Sequence, residues 1–306
     1  CLDHVHAESG ELPQPTGCAC RGGATIHAHV GCMVQFAREK AETWFKCPTC
    51  GQDWTGSAVL ALARRRHEMA VGLPEADSER LIAANFLADT LRVAGQYEEA
   101  LRLGRENLET TCRVCGPEHS MTLRAMQTLA ATHLESGDQD AALAMYTELV
   151  ATYRERVRGK EHETTLRAIA DLAALHMRMG NHHLALPLLQ EVADARRRTL
   201  GDGHAETLFA INDLASAYEN LYEFERALPL YNEAVEGSRR LLGPQHRDTL
   251  VTVGNLGRLL AKMGDHAEAA ALLEEAVEGL SALSLGGTYL QQLEHFKKLL
   301  QPNARC

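Results

Sequence analysis

Four copies of one string, G-x-x-H-x-x-T-L, divide most of this chain into equal parts. They stand at Gly116/His119/Thr122/Leu123, Gly159/His162/Thr165/Leu166, Gly201/His204/Thr207/Leu208 and Gly243/His246/Thr249/Leu250, with successive glycines 43, 42 and 42 residues apart. A fixed period of this length marks a repeat architecture, in which one supersecondary unit stacks on copies of itself. A second marker runs in phase: Gly95, Gly137, Gly180 and Gly264 each precede an alanine five residues on, namely Ala100, Ala142, Ala185 and Ala269. Tyr222 and Ala227 fill the missing place. Each unit therefore divides at a turn into two amphipathic helices, as in 122–136 and 139–157, where Ala142, Met145, Tyr146 and Leu149 keep the i, i+3, i+4, i+7 spacing.

Counting back one period from Leu123 reaches Leu81, so 78–113 reads as a degenerate first unit without the histidine. The predicted organisation is an N-terminal module over 1–56, a linker helix over 57–73, and five helical hairpins within 74–300. The hairpins span about 78–115, 116–158, 159–200, 201–242 and 243–285, with a closing helix over 288–300. Such hairpins cannot bury their apolar faces alone, and the expected fold is mostly α, a right-handed helical-hairpin solenoid with a small N-terminal module.

Three segments carry a specific resemblance. Leu-Gly-Pro-Gln-His-Arg-Asp-Thr-Leu at 242–250, Glu-Arg-Ala-Leu-Pro-Leu-Tyr-Asn-Glu-Ala-Val-Glu at 225–236 and Leu-Ala-Leu-Pro-Leu-Leu-Gln-Glu-Val at 184–192 resemble the 42-residue tetratricopeptide repeats (TPR) of kinesin light chains. Pro187 and Pro229, near the start of second helices, follow the habit of that family. The resemblance implies a groove lined by the first helix of each pair, in which an extended peptide or client protein binds. Carried onto this chain, the groove positions are Asn85, Asp89, Arg124, Gln127, Arg167, Ala174, Asn212, Ser216 and Arg258, while Ala170 and Gly254 stand where the family carries asparagine. Asparagine can pair with both backbone groups of a peptide, and arginine can hold a carboxylate in bidentate fashion. The same positions also read as solvated helix faces.

Composition narrows the classes of partner. Aromatic residues make up only 5% of the chain and 45% is hydrophobic, dominated by Ala and Leu, which excludes an all-β fold. Asp and Glu outnumber Lys and Arg by 41 to 31, and the longest basic runs are Arg64-Arg65-Arg66 and Arg196-Arg197-Arg198, so no nucleic-acid or membrane partner is expected. No apolar run approaches the roughly 18 residues of a membrane span, and the opening residues lack the pattern of a signal peptide. The expected location is the cytoplasm.

Six of the nine cysteines fall within the first fifty residues: Cys1, Cys18, Cys20, Cys32, Cys47 and Cys50, with His27 and His29 among them. In a reducing compartment such crowding reads as metal binding before disulfides. Zinc favours four N and S ligands in a tetrahedron, and a module this small needs such a staple. The spacing C-x-C-R-G followed by H-x-x-C, with a final C-x-x-C, resembles a RING-CH zinc finger. That resemblance implies two Zn2+ sites, Cys1 with His29 and Cys32 at one, and Cys18, Cys20, Cys47 and Cys50 at the other. His27 is the alternative to His29. The first site lacks one ligand, so the chain is expected to be a fragment whose preceding residues hold the other half of a pair.

RING fingers carry no catalytic nucleophile; they position a ubiquitin-conjugating enzyme. Trp44 and Pro48 match the surface that binds that enzyme, whereas Gly51 stands where many active fingers carry an arginine. The resemblance therefore implies a RING-type ubiquitin ligase whose repeats select a client. The alternative is a non-enzymatic scaffold or cargo adaptor with a structural finger. The histidines of the repeat string are one per unit, roughly 10 Å apart given helix packing distances, so they cannot share an ion and read as polar contacts at the start of each first helix. Cys112 and Cys115 form a lone C-x-x-C without a second pair nearby. G-x-S-x-G, phosphate-loop and H-E-x-x-H motifs are absent, and no catalytic residue is predicted.

Overall fold

The computed structural model describes residues 57–157, 159, 161–283, 294–296 and 298, together with the backbone of 14–15 and 27–28. The predicted zinc ligands Cys1, Cys18, Cys20, His29, Cys32, Cys47 and Cys50 lie outside the described residues, as do Trp44 and Pro48. Two short strands, β1 (Gln14–Pro15) and β2 (His27–Ala28), pair antiparallel, with Gln14 opposite Ala28. The chain divides into two units, 1–152 and 153–306.

The first unit contains α1 (Ser57–Ala70), α2 (Ser78–Val93), α3 (Tyr97–Cys115), α4 (Ser120–Ser136) and α5 (Gln139–Thr152). α2 with α3 and α4 with α5 form hairpins, α3 packs on α4, and α1 packs on α2. Leu62 and Ala63 of α1 are fully buried, and Arg66 reaches both oxygens of Glu79, at 2.7 and 3.0 Å. The second unit opens on a π-helical turn, Tyr153–Val157. It continues through α6 (Glu163–Arg178), α7 (His182–Leu200), α8 (Ala205–Asn220), α9 (Phe224–Leu242), α10 (Arg247–Met263) and α11 (His266–Ala282). Here α6/α7, α8/α9 and α10/α11 are hairpins, and each second helix also packs on the first helix that follows.

The repeated string acquires a physical meaning at the start of each first helix. Its glycine follows a second helix with positive φ, +88° at Gly201 and +93° at Gly243, which lets the chain turn without a Cβ clash. Its histidine is then the N-cap. Nδ1 of His119, His162, His204 and His246 accepts the backbone N–H two residues on, at 3.2–3.3 Å, satisfying one of the donors a helix start leaves open. The threonine hydroxyl folds back to donate to the glycine carbonyl, Thr122 to Gly116 at 2.7 Å and Thr165 to Gly159 at 2.8 Å. Thr249 donates instead to the Ser238 carbonyl, and the buried Thr207 hydroxyl has no partner. The leucine enters the core: Leu123, Leu166, Leu208 and Leu250 are at most 2% exposed, each burial contributing roughly 1.5–3 kcal/mol.

The second marker sets how closely paired helices approach. Ala100, Ala142, Ala185, Ala227 and Ala269 are all buried. Further along the second helices, Gly237 and Gly279 receive Leu208 and Leu250 so closely that a Cβ there would lie 2.3 and 2.5 Å from a leucine methyl. Second helices of the second unit are further tied by ion pairs, Arg197 to Glu233 at 2.6 Å and Arg239 to Glu275 at 2.7 Å, with Arg154 of the π-helical turn bound to Glu191. Pro187 and Pro229 sit in the early turns of α7 and α9 on exposed faces.

Tyr222 holds the place between α8 and α9 that glycine holds in the other hairpins, with φ +60°, and it is the one non-glycine residue of positive φ among those described. Its ring is 80% exposed and tilts against Phe224, 5.9 Å away between centroids. At the other end of the second unit, Phe296 is 1% exposed and covers Gly254, where a Cβ would meet the ring at 2.2 Å. The helical residues 294–296 fall within the predicted closing helix, and Phe296 lies one period of 42 after Gly254.

Candidate peptide-binding faces

The core-facing residues of each first helix leave one polar stripe per helix on the outside. In the first unit the stripe of α2 carries Asn85 and Asp89, both half-buried. Asp89 is engaged: Arg92 donates to it from Nε at 3.1 Å and from Nη2 at 2.7 Å, while the same guanidinium pairs with Glu135 of α4. Arg124 of α4 is exposed and Gln127 half-buried. This face thus mixes an open cation with an internally paired carboxylate.

In the second unit Arg167 and Ala174 are exposed on α6, Asn212 and Ser216 half-buried on α8. α10 contributes Asn255, whose Nδ2 donates to Asn212 Oδ1 at 3.1 Å, joining the two first helices through their side chains. Arg258 is committed within the protein. It forks onto Glu219, with Nε to Oε1 at 2.9 Å and Nη2 to Oε2 at 2.8 Å, and Lys262 and the Tyr231 hydroxyl also donate to that carboxylate. Burial disfavours the charge on Glu219, yet the hydrogen bonds and charge of Arg258, with Lys262 and Tyr231, hold its carboxyl below the usual range. Burial pushes the Tyr231 hydroxyl in the opposite direction, upwards, helped by Glu219.

Four residues of this face escape a reading by family position. Asp171, Asp213 and Asn255 occupy one column at 42-residue spacing, a signal available from aligning the repeats. Glu219 is the fourth: its equivalents are Arg92, Leu134, Met177 and Ala261, and a carboxylate whose nearest repeats carry methionine and alanine at the same place points to a buried network. Asp213 is exposed, and partial desolvation by the packed helices around it pushes its carboxyl up to about 6 against the opposing pull of the Asn212 amide and Arg196. Between α7, α8 and α9, away from this stripe, lies an open cleft of ≈ 460 Å³ lined by Gln190, Asp194, Arg197, Tyr218, Arg226 and Pro229. Arg226 stacks over the Tyr218 ring there, 4.9 Å from its centroid.

Among the described residues no group of three or more His, Cys, Asp or Glu side chains is arranged to hold a metal. Cys112 and Cys115 are free thiols in the last turn of α3. No described helix is long and apolar enough to cross a membrane.

The family model of the tetratricopeptide repeat matches residues 79–155, 161–238 and 220–282. The chain belongs to the tetratricopeptide repeat family. Among solved structures it is similar to a candidate kinesin light chain of Podosopora anserina with nearly identical TPR-like repeats. A variant of that protein is 25% identical with TM-score 0.60, covering 67% of this chain and 96% of that one. BtubC (BKLC) from P. vanneervenii is 21% identical with TM-score 0.63, covering 75% of this chain and 92% of that one. No curated protein matches the chain in sequence. The fold predicted from the repeats, stacked helical hairpins of tetratricopeptide type with kinesin-light-chain-like neighbours, is the fold observed, and tetratricopeptide hairpins suit protein–protein interaction.

Proposed function

We propose that this protein is an interaction scaffold or adaptor whose first-helix faces bind extended segments of client proteins. The observation that carries the reading is the Asn212–Asn255 pair. Two amides from successive first helices meet on the outside of the hairpin stack, each with further donor and acceptor capacity for a peptide backbone. Peptides selected from a random ten-residue phage library on the intact chain test it. Ser216→Arg, on that face, should abolish their binding, whereas Glu236→Arg, on the exposed side of α9, should leave it intact. Equal binding by both variants would refute the assignment of the face.

A second reading rests on the cysteine and histidine spacing of residues 1–50. There Cys18, Cys20, Cys47 and Cys50, and Cys1 with His29 and Cys32, would hold Zn2+, and Trp44 and Pro48 would meet a ubiquitin-conjugating enzyme, making the scaffold a ubiquitin ligase that presents bound clients. Elemental analysis of the purified chain tests the metal. Discharge of ubiquitin from charged conjugating enzymes to free lysine, with Cys47→Ser as control, tests the transfer. Zinc without discharge would leave a structural finger on an adaptor.

A further inference from the structure

The first-helix face of the second unit carries an exposed carboxylate, Asp213, that no ion pair among the described residues occupies. Asp213 is exposed at the middle of α8, and among the described residues no cation forms an ion pair with it; its hydrogen bond is a 3.4 Å contact from the neighbouring Asn212 amide. Other charges nearby are committed. Arg258 and Lys262 of α10 are bound to Glu219, and Arg196 to Glu163 and Glu206. Arg167 and Arg178 are exposed on α6, at the start and end of that helix.

The surroundings of Asp213 suit a long side chain with a cationic head. Phe209 lies one turn earlier on the same face of α8, and Val251 holds the matching position on α10, both half-buried. Each offers apolar surface along which the methylenes of a lysine or arginine can lie while the head reaches a carboxylate. The Asn212–Asn255 pair stands beside it to hold a peptide backbone.

We infer that the first-helix face of the second unit selects extended segments carrying a lysine or arginine, whose cation seats on Asp213 and whose stem packs on Phe209. The inference rests on the peptide-binding reading above and names its specificity. Phage selection on the intact chain should enrich lysine and arginine at one position of the recovered peptides. Replacing that residue by alanine in a synthetic peptide, or Asp213 by Asn in the protein, should each weaken binding about tenfold or more, as for hydrogen bonds to charged groups. The two changes together should cost little more than either alone. Asp213→Asn is isosteric and exposed, and circular dichroism at 222 nm verifies its fold. Peptides that bind the face but are rich in acidic residues, or that bind Asp213→Asn unchanged, would overturn this inference and leave the binding face standing. Failure to select any peptide blocked by Ser216→Arg would overturn both.

Discussion

Arg258 meets Glu219 fork to fork, both nitrogens on both oxygens within 2.9 Å, on a carboxylate that is 1% exposed. The pair joins α8 to α10, and Tyr231 brings in α9, so a single buried anion fastens one hairpin to the next. Removing one partner of a buried ion pair leaves the other charge uncompensated, at a cost of about 3–5 kcal/mol. Glu219→Ala should therefore lower the urea midpoint sharply. Glu219→Leu with Arg258→Met, which removes both charges, should recover much of the loss.

The same group sets an acid limit. Its carboxyl is held below the usual carboxylate range in the folded protein, so its contribution is complete above the unfolded-state value of about 4.3 and is lost as pH falls through the folded value. Stability measured by urea titration should fall below about pH 4 in the native chain, with a shallower decline in Glu219→Gln.

Asp213 has the opposite sign. With its carboxyl raised to about 6, ionisation disfavours the folded state at neutral pH, and stability is regained as pH falls from above 6 towards the unfolded value. Asp213→Asn should stabilise the protein at pH 7, by no more than about 1 kcal/mol because the side chain is open to screening water. The difference should vanish near pH 4. Melting curves of both proteins across this range check the sign.

The histidine caps should behave as caps. His204→Ala should cost about 1 kcal/mol, while His204→Asn, which restores an acceptor suited to the position, should cost little. Thermal melts distinguish these from a packing role, since His204 is exposed and truncation removes no buried area.

Tyr222 and Gly254 give a pair of opposite backbone predictions. Tyr222→Gly should raise stability by about 1 kcal/mol by relieving a left-handed conformation, since its exposed ring takes no part in the core. Gly254→Ala should lower it by about 1–3 kcal/mol through overpacking against Phe296. In a Phe296→Ala background the same substitution should become nearly neutral. Urea denaturation of the native chain, Gly254→Ala, Phe296→Ala and the double variant completes the cycle.

The repeat string is legible in the sequence because its residues act locally: a glycine turn, a cap and a buried leucine recur wherever one helix ends and the next begins. The turn position of Tyr222 is legible for the same reason, although its strained φ emerges only from the backbone. Arg258 shows where position alone falls short. Its place on the first helix marks it as a groove residue, but its partner comes from Glu219, 39 residues away, and only the packing of α8 on α10 brings them together. Asp213 is marked only by its repeat column, because family position singles out its neighbour Asn212, and that no cation forms an ion pair with its carboxylate among the described residues is a property of three dimensions.

The ion pairs between second helices bear on how such a chain grows. Residues 201–242 carry both Glu233, which receives Arg197 from the preceding hairpin, and Arg239, which gives to Glu275 in the following one. A tandem duplicate of that segment would bring its own acceptor to the seam before it and its own donor to the seam after it. At the second-helix seams copy number can therefore change by unequal recombination without an unmatched charge, whereas a copy no longer followed by Arg258 and Lys262 would set its buried Glu219 against Ser216 and Asn220, so the length of the array is free to drift only where that carboxylate is lost as well.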